Sequence, residues 1–265
     1  MSNQPREWHG RPARENHAHD ARATAPVILA IETATRAGSV ALSRGAQIMS
    51  CVTGNATSSH STDLIENIDG VLHEAGLQLS DVDLFAVAIG PGSFTGLRIG
   101  LATVKSLAVA TEKKCVGVST LAAIALGAGE SERNIALLPA GRGEVFAQMF
   151  SVMGDEVTAF DEAMHISPET LLSKYGGYDK ITWAGEGAHA QLELLRDAAA
   201  RRDIEFGVLS NVNGSGWSVA AENGKIAESV ARLASRKYHA GRIINPEELR
   251  ADYVRPSDAE MKTHA

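Results

Sequence analysis

The sequence is poor in cysteine. Its 265 residues include two, Cys51 and Cys115, far apart and each inside an apolar segment. That excludes a disulfide scaffold and predicts two reduced, buried thiols of a cytoplasmic protein. Positive charge is also scarce: 25 lysines and arginines stand against 32 aspartates and glutamates, a formal net charge of −7. Gripping nucleic acid unaided needs a basic face, so this balance speaks against it and leaves room for a basic partner. No apolar run approaches the roughly 20 residues that cross a bilayer. The G-x-S-x-G frame of a nucleophile elbow and the H-E-x-x-H pattern of zinc peptidases are both missing.

The first 26 residues lack helical or strand periodicity and an apolar signal core, and their acidic residues Glu7, Glu15 and Asp20 do not suit a mitochondrial leader. His9, His17 and His19 fall there without the cysteine or paired spacing of a metal site. The expectation is a disordered tail. Beyond it, 44% hydrophobic and 22% charged residues suit a globular chain of one large or two small domains.

From residue 27 the pattern reads strand, strand, strand, helix, strand, helix. "VILAI", "SVALS" and "IMSCV" are the first strands. Leu64, Ile65, Ile68, Val71, Leu72 and Ala75 recur at helical spacing. "LFAVAIG" is a continuous apolar run of the kind buried in a parallel sheet. A helix over about 94–111 follows, then a short strand "CVGVST" and a helix "TLAAIALGAG". The second half repeats the order with "NIALLPAG", "GEVFAQMF", "EVTAFD", a helix capped by Ser167 and Pro168, the strand "KITWAGEGA" ending in glycines and the helix "HAQLELLRDAAARR". A last helix is expected over about 217–239, with the tail "NPEELRADYVRPSDAEMKTHA" extended or irregular. The fold class predicted is α/β, built from duplicated βββαβα units with a cleft between them. The hairpins argue against a doubly wound sheet.

The segment "GPGSFTGLRIG" (90–100) closes a strand and opens a helix, as phosphate loops do. A Walker loop needs G-x-x-x-x-G-K-[ST], and Leu97-Arg98 follow Gly96 instead. A dinucleotide fingerprint needs an acidic residue about 20 positions on, and "CVGVST" has none. The helix itself is apolar over more of its circumference than one sheet can cover, with Thr95, Arg98, Thr103, Lys105 and Ser106 as its polar residues. Gly96 and Gly100 form G-x-x-x-G, which admits a second backbone. Two explanations stand side by side: burial under neighbouring helices of the same chain, or a surface for a partner.

The strings "ILAIETATRAGSVAL", "GPGSFTGLRIGLATVKSLA", "GVSTLAAIA" and "GEVFAQMF", with the late "YVR" at 253–255, resemble the TsaB (YeaZ) family, subunits of bacterial tRNA threonylcarbamoyladenosine biosynthesis. The resemblance is dense over about 27–150 and thinner beyond. It implies the ribonuclease H-like fold of actin, sugar kinases and Hsp70, with a first half over 27–118 and a second over 119–265 whose last helix returns towards the first.

In catalytic members of that superfamily two hairpin turns hold nucleotide phosphates. Here the first turn offers Glu32, Thr33 and Thr35 as a possible vestigial nucleotide site, and their hydroxyls could equally bond turn backbone. The second turn reads Pro139-Ala140-Gly141 where the family commonly has Asp-Ala-Arg; Arg142 is a partial substitute. His60 opens the first helix but has Leu64, not a second histidine, four residues on, so no metal is expected. The resemblance implies a non-catalytic subunit. It would bind a TsaD-type transferase through helices near 61–76 and 94–110, with Leu64, Ile68, Ser93, Phe94, Thr95, Gly96, Arg98 and Gly100 at the interface. It would meet a TsaE-type ATPase and tRNA only through that complex, form a homodimer alone, and need no cofactor beyond weak or partner-shared ATP or ADP. The alternative is an independent kinase or ATPase of the same fold; a metallopeptidase lacks its ligands.

Overall fold

A computed structural model describes residues 25–55, 60–208 and 216–254. The expected disordered tail up to residue 24, the side chain of His60 and the arginine of the late Tyr-x-Arg stretch lie outside the described residues.

Strands β1 (Val27–Glu32), β2 (Ser39–Arg44) and β3 (Gln47–Thr53) form an antiparallel meander. Helix α1 (His60–Glu74) leads to β4 (Leu84–Gly90), α2 (Phe94–Ala110) leads to β5 (Lys114–Ser119), and β1, β4 and β5 run parallel. The sheet order is β3-β2-β1-β4-β5. Helix α3 (Thr120–Gly127) then bridges to the second half.

There β6 (Ser131–Gly141), β7 (Glu144–Met153) and β8 (Glu156–Ala159) make a second meander, with β9 (Met164–Ile166) also on β7. Helix α4 (Pro168–Tyr175) precedes β10 (Ile181–Ala184), which is parallel to β6. Helices α5 (Glu186–Ala190) and α6 (Leu192–Ala200) precede β11 (Phe206–Val208) and β12 (Trp217–Val219). The path β8-β7-β6-β10-β12 has the same order and the same strand senses as the first sheet, with β11 added at its edge. The duplication expected from element order is therefore present in the sheets.

Strand alternation builds three apolar layers. Ile28 and Ala30 of β1 face a central core, while Val27, Leu29 and Ile31 face an outer core under α1 and α2. The central core takes residues from both sheets, from α3 and from α7 (Ile226–His239). Helix α3 is apolar nearly all round, as a helix walled in by two sheets must be. Helix α7 packs against α3 and back onto β1 and β2, and the Ser39 hydroxyl accepts a bond from the Ala227 amide at 3.0 Å. A third core, with the indoles of Trp183 and Trp217 edge to face at 5.3 Å, sits under α4 and α6.

Two expectations need correction. The last helix starts at Ile226, not near 217. Trp217 and Val219 point inward around a half-exposed Ser218, the period of a strand, and Asn223-Gly224 separates that strand from the helix. The helix expected over "HAQLELLRDAAARR" is two helices, broken at Gln191, whose φ of −106° and ψ of 16° leave the helical region. The tail after α7 is extended and irregular as expected, and it runs as a strap along the edge of the first sheet. Ile244 exchanges backbone bonds of 2.9 Å with Cys115, and Asp252 donates to the Ile89 carbonyl at 2.8 Å.

Candidate functional site

The first hairpin turn begins at Glu32, which is wholly buried. Its carboxylate accepts the Thr35 amide at 2.7 Å and the Thr35 hydroxyl at 2.8 Å. Burial pushes its pKa up, and the Thr35 bonds pull against that. The Thr33 hydroxyl donates to the Gly96 carbonyl at 2.7 Å. Both groups are thus engaged in holding the turn and fastening it to α2.

The glycine loop meets the same turn. A Cβ at Gly92 would lie 2.6 Å from the Ala34 carbonyl oxygen; at Gly96, 1.9 Å from that of Thr33; at Gly100, 2.3 Å from the Thr33 hydroxyl. At Gly90 it would lie 2.4 Å from the Asp252 carbonyl oxygen. Ser93 donates its amide to Ala34 at 2.8 Å and caps α2 by accepting from Gly96 at 3.2 Å. The G-x-x-x-G pair therefore admits the chain's own first turn. Gly96 and Gly100, expected as partner contacts, face inward because Thr33 already fills the space. Leu64 and Ile68, expected beside them, are each 5% exposed and belong to the outer core with Leu101 and Val104.

What these helices leave outside is a different set. In α1 the exposed apolar residue is Ile65, at 60%. Along α2, Thr95, Arg98, Ala102 and Val109 are exposed at three-, four- and seven-residue spacing, one side of a helix, and Val109 is 58% exposed. At the N-terminal end of that stripe the Arg98 guanidinium lies 3.8 Å over the Phe94 ring. The Phe94 ring in turn packs at 5.1 Å on Tyr253, which is 44% exposed. Ser93 is also exposed there. Tyr253 is the functional candidate that spacing arguments missed. The late "YVR" string marked it, but only the strap's path brings it to α2.

Between the two halves lies a cleft of about 780 Å³, within the range of small-molecule sites. Ala34 and Thr35, Gly92, Ile124, Pro139 and Gly185 line it. Its charged lining is Arg36, Glu186 and Glu222, one guanidinium against two carboxylates and no lysine. The Arg36 amide bonds Glu186 at 3.3 Å across the cleft. Arg142 does not reach it: with Gly143 it forms the exposed tip of the β6–β7 hairpin, both at positive φ. Among the described residues no group of three His, Cys, Asp or Glu side chains is placed to hold a metal ion, and no helix is long and apolar enough to cross a membrane. Both cysteines are free, and burial pushes the thiol of Cys51 to about 12 and that of Cys115 to about 11.

Residues 52–249 match the family described as TsaD, tRNA N6-adenosine threonylcarbamoyltransferase. The tRNA threonylcarbamoyladenosine biosynthesis protein TsaB of Escherichia coli K12 is 37% identical over 255 residues, covering 89% of this chain and 97% of that protein. A tRNA N6-adenosine threonylcarbamoyltransferase of a Methylobacterium species is 33% identical over 51% of this chain, spanning 42% of its own length. The solved YeaZ of Pseudomonas aeruginosa superposes with a TM-score of 0.68 at 27% identity, over 86% of this chain and 99% of that one. The match to TsaB runs nearly end to end, and the chain belongs to the TsaB (YeaZ) family of tRNA threonylcarbamoyladenosine biosynthesis proteins.

Proposed function

We propose that this chain is a non-catalytic subunit that binds a TsaD-type transferase and supports threonylcarbamoyl transfer to the adenosine beside the tRNA anticodon. The observation that carries the reading is the exposed α1–α2 face, where an aromatic and guanidinium cluster sits at the end of a partly apolar stripe. Aromatic and arginine side chains are the residue types that anchor protein interfaces. Ser93, Phe94, Thr95 and Arg98 are the contact residues, joined by Ile65, Val109 and Tyr253. Leu64, Ile68, Gly96 and Gly100 shape this face from beneath.

The division of labour follows from the first turn and the cleft. Glu32 and Thr33 serve internal bonds, and the cleft has no lysine for phosphate, which supports a vestigial rather than working nucleotide site. The chemistry then lies with the partner, and a TsaE-type ATPase and tRNA reach this chain through it. Alone, the same apolar face pairs with a second copy. Removing it from water stabilises association by about 25 cal/mol per Å² before association costs are subtracted.

Titration of the purified chain against the TsaD-type protein of the same source tests the surface. Arg98→Ala with Tyr253→Ala is expected to weaken binding at least tenfold while leaving the melting temperature in place. Undiminished affinity in that double variant would remove this face from the interface.

A further inference from the structure

The strap that follows α7 does more than cover the edge of the first sheet. Where it crosses β5 it borders an open pocket of about 330 Å³. Gly117 lines it, and a Cβ there would lie 2.7 Å from Ile89 and 3.4 Å from Leu249. Ile89 and Ile244 supply apolar wall. Lys237 from α7, with Arg242 and Arg250 from the strap, line the same space.

The charge there is unbalanced. Lys237 donates to the Gly117 carbonyl at 2.6 Å, and Arg250 donates to the Leu249 carbonyl at 2.9 Å and to that of Glu247. Among the described residues none of the three cations forms an ion pair with a carboxylate. Glu248 also lines the cavity, and it accepts from Asn245 at 2.8 Å. Three cations and one carboxylate line one small concavity of a chain whose net charge is −7. Burial holds the Lys237 ammonium below its ordinary pKa, and the charge of Arg242 adds to the effect. An unpaired, partly buried cation beside a second cation is costly, and an anion seated between them would relieve both charges at once.

We propose that this pocket binds a phosphate group. A terminal phosphate carries up to two negative charges and three non-bridging acceptor oxygens, matching three donor side chains, whereas a backbone phosphodiester, with one charge and two such oxygens, would engage a subset of them. The apolar wall suits the carbon skeleton to which such a group is attached. The source is either an RNA backbone or a small phosphorylated molecule, and the site is independent of the α1–α2 partner surface.

Two probes on the full chain separate the sources. The first is the melting temperature in sodium phosphate against sodium chloride at equal ionic strength. The wild type is expected to melt higher in phosphate. Arg242→Ala, at an exposed position, and Lys237→Met, which keeps the apolar stem, should each cut that difference to the general stabilisation that phosphate gives by exclusion from protein surfaces, while melting as wild type in chloride. The second probe is a tRNA transcript titrated against the chain in complex with its TsaD-type partner across a salt series. If RNA is the source, Arg242→Ala weakens binding uniformly and lowers the salt slope by about one. An unchanged salt slope with the phosphate effect intact assigns the site to a small phosphorylated molecule. Equal melting in both salts together with unchanged tRNA binding overturns the proposal, as does a phosphate effect undiminished by both substitutions.

Discussion

Replacing Gly96 with alanine separates the two uses a glycine pair in a helix can have. The added Cβ would lie 1.9 Å from the Thr33 carbonyl oxygen, where ordinary contact starts at 3.4 Å. The obstacle is backbone, not the end of a flexible side chain, so α2 and the first turn must separate. Overpacking of this kind costs about 1–3 kcal/mol. Separation also strains the bond from the Thr33 hydroxyl to the Gly96 carbonyl, worth about 0.5–1.5 kcal/mol. Alanine's helix preference over glycine returns about 1 kcal/mol. The net loss is about 1–3 kcal/mol, which lowers the melting temperature of a chain this size by roughly 3–10 °C. Gly70 in α1, with nothing within 4 Å of its absent Cβ, is the control: there alanine should stabilise by up to about 1 kcal/mol. Urea unfolding of the isolated chain reads both. A Gly96→Ala protein as stable as wild type but unable to bind a partner would refute the internal role of the glycines.

Other substitutions probe separate links. Glu32→Gln keeps an acceptor for the Thr35 amide and removes a buried charge whose pKa is raised. A raised carboxyl gives stability that is complete below its unfolded value and lost as pH rises through its folded value. The variant should therefore be more stable than wild type at pH 8, with the gap closing towards the unfolded value near 4.5 in unfolding curves across pH. Tyr175→Phe removes the 2.6 Å bond to Asp161, which keeps Lys174 at 3.2 Å, so a loss of about 1–2 kcal/mol is expected in denaturant unfolding. Phe94→Ala strips the ring between Arg98 and Tyr253 and should weaken partner affinity about tenfold or more in a calorimetric titration, with less effect on folding.

The sequence carried the architecture well because it is written in periodicity. The apolar run 84–90 is β4 residue for residue, and the repeated element order is matched by repeated sheet order. Short elements were less legible. Trp217–Val219 shows strand alternation over three residues, too few to outweigh the helical pattern that follows, although Asn223-Gly224 marked the break. The glycine loop was legible as a place of close approach, but spacing does not say which chain approaches; only the position of Thr33 against Gly96 and Gly100 decides it. The same holds for Leu64 against Ile65: one residue's rotation about the helix separates core from surface. The contact of Tyr253 with Phe94 joins positions 159 residues apart (253 − 94), through a strap with no periodicity to read.

The proposed role has this chain enabling a transfer carried out by another protein. Its most direct measurement is threonylcarbamoyladenosine formation on a tRNA transcript, with the TsaD-type protein and remaining pathway components of the same source, in the presence and absence of this chain. Modification that requires the chain, together with no modification when the TsaD-type protein is withheld, is the predicted result. Modification equally fast without the chain, or sustained by the chain without a TsaD-type protein, would contradict it.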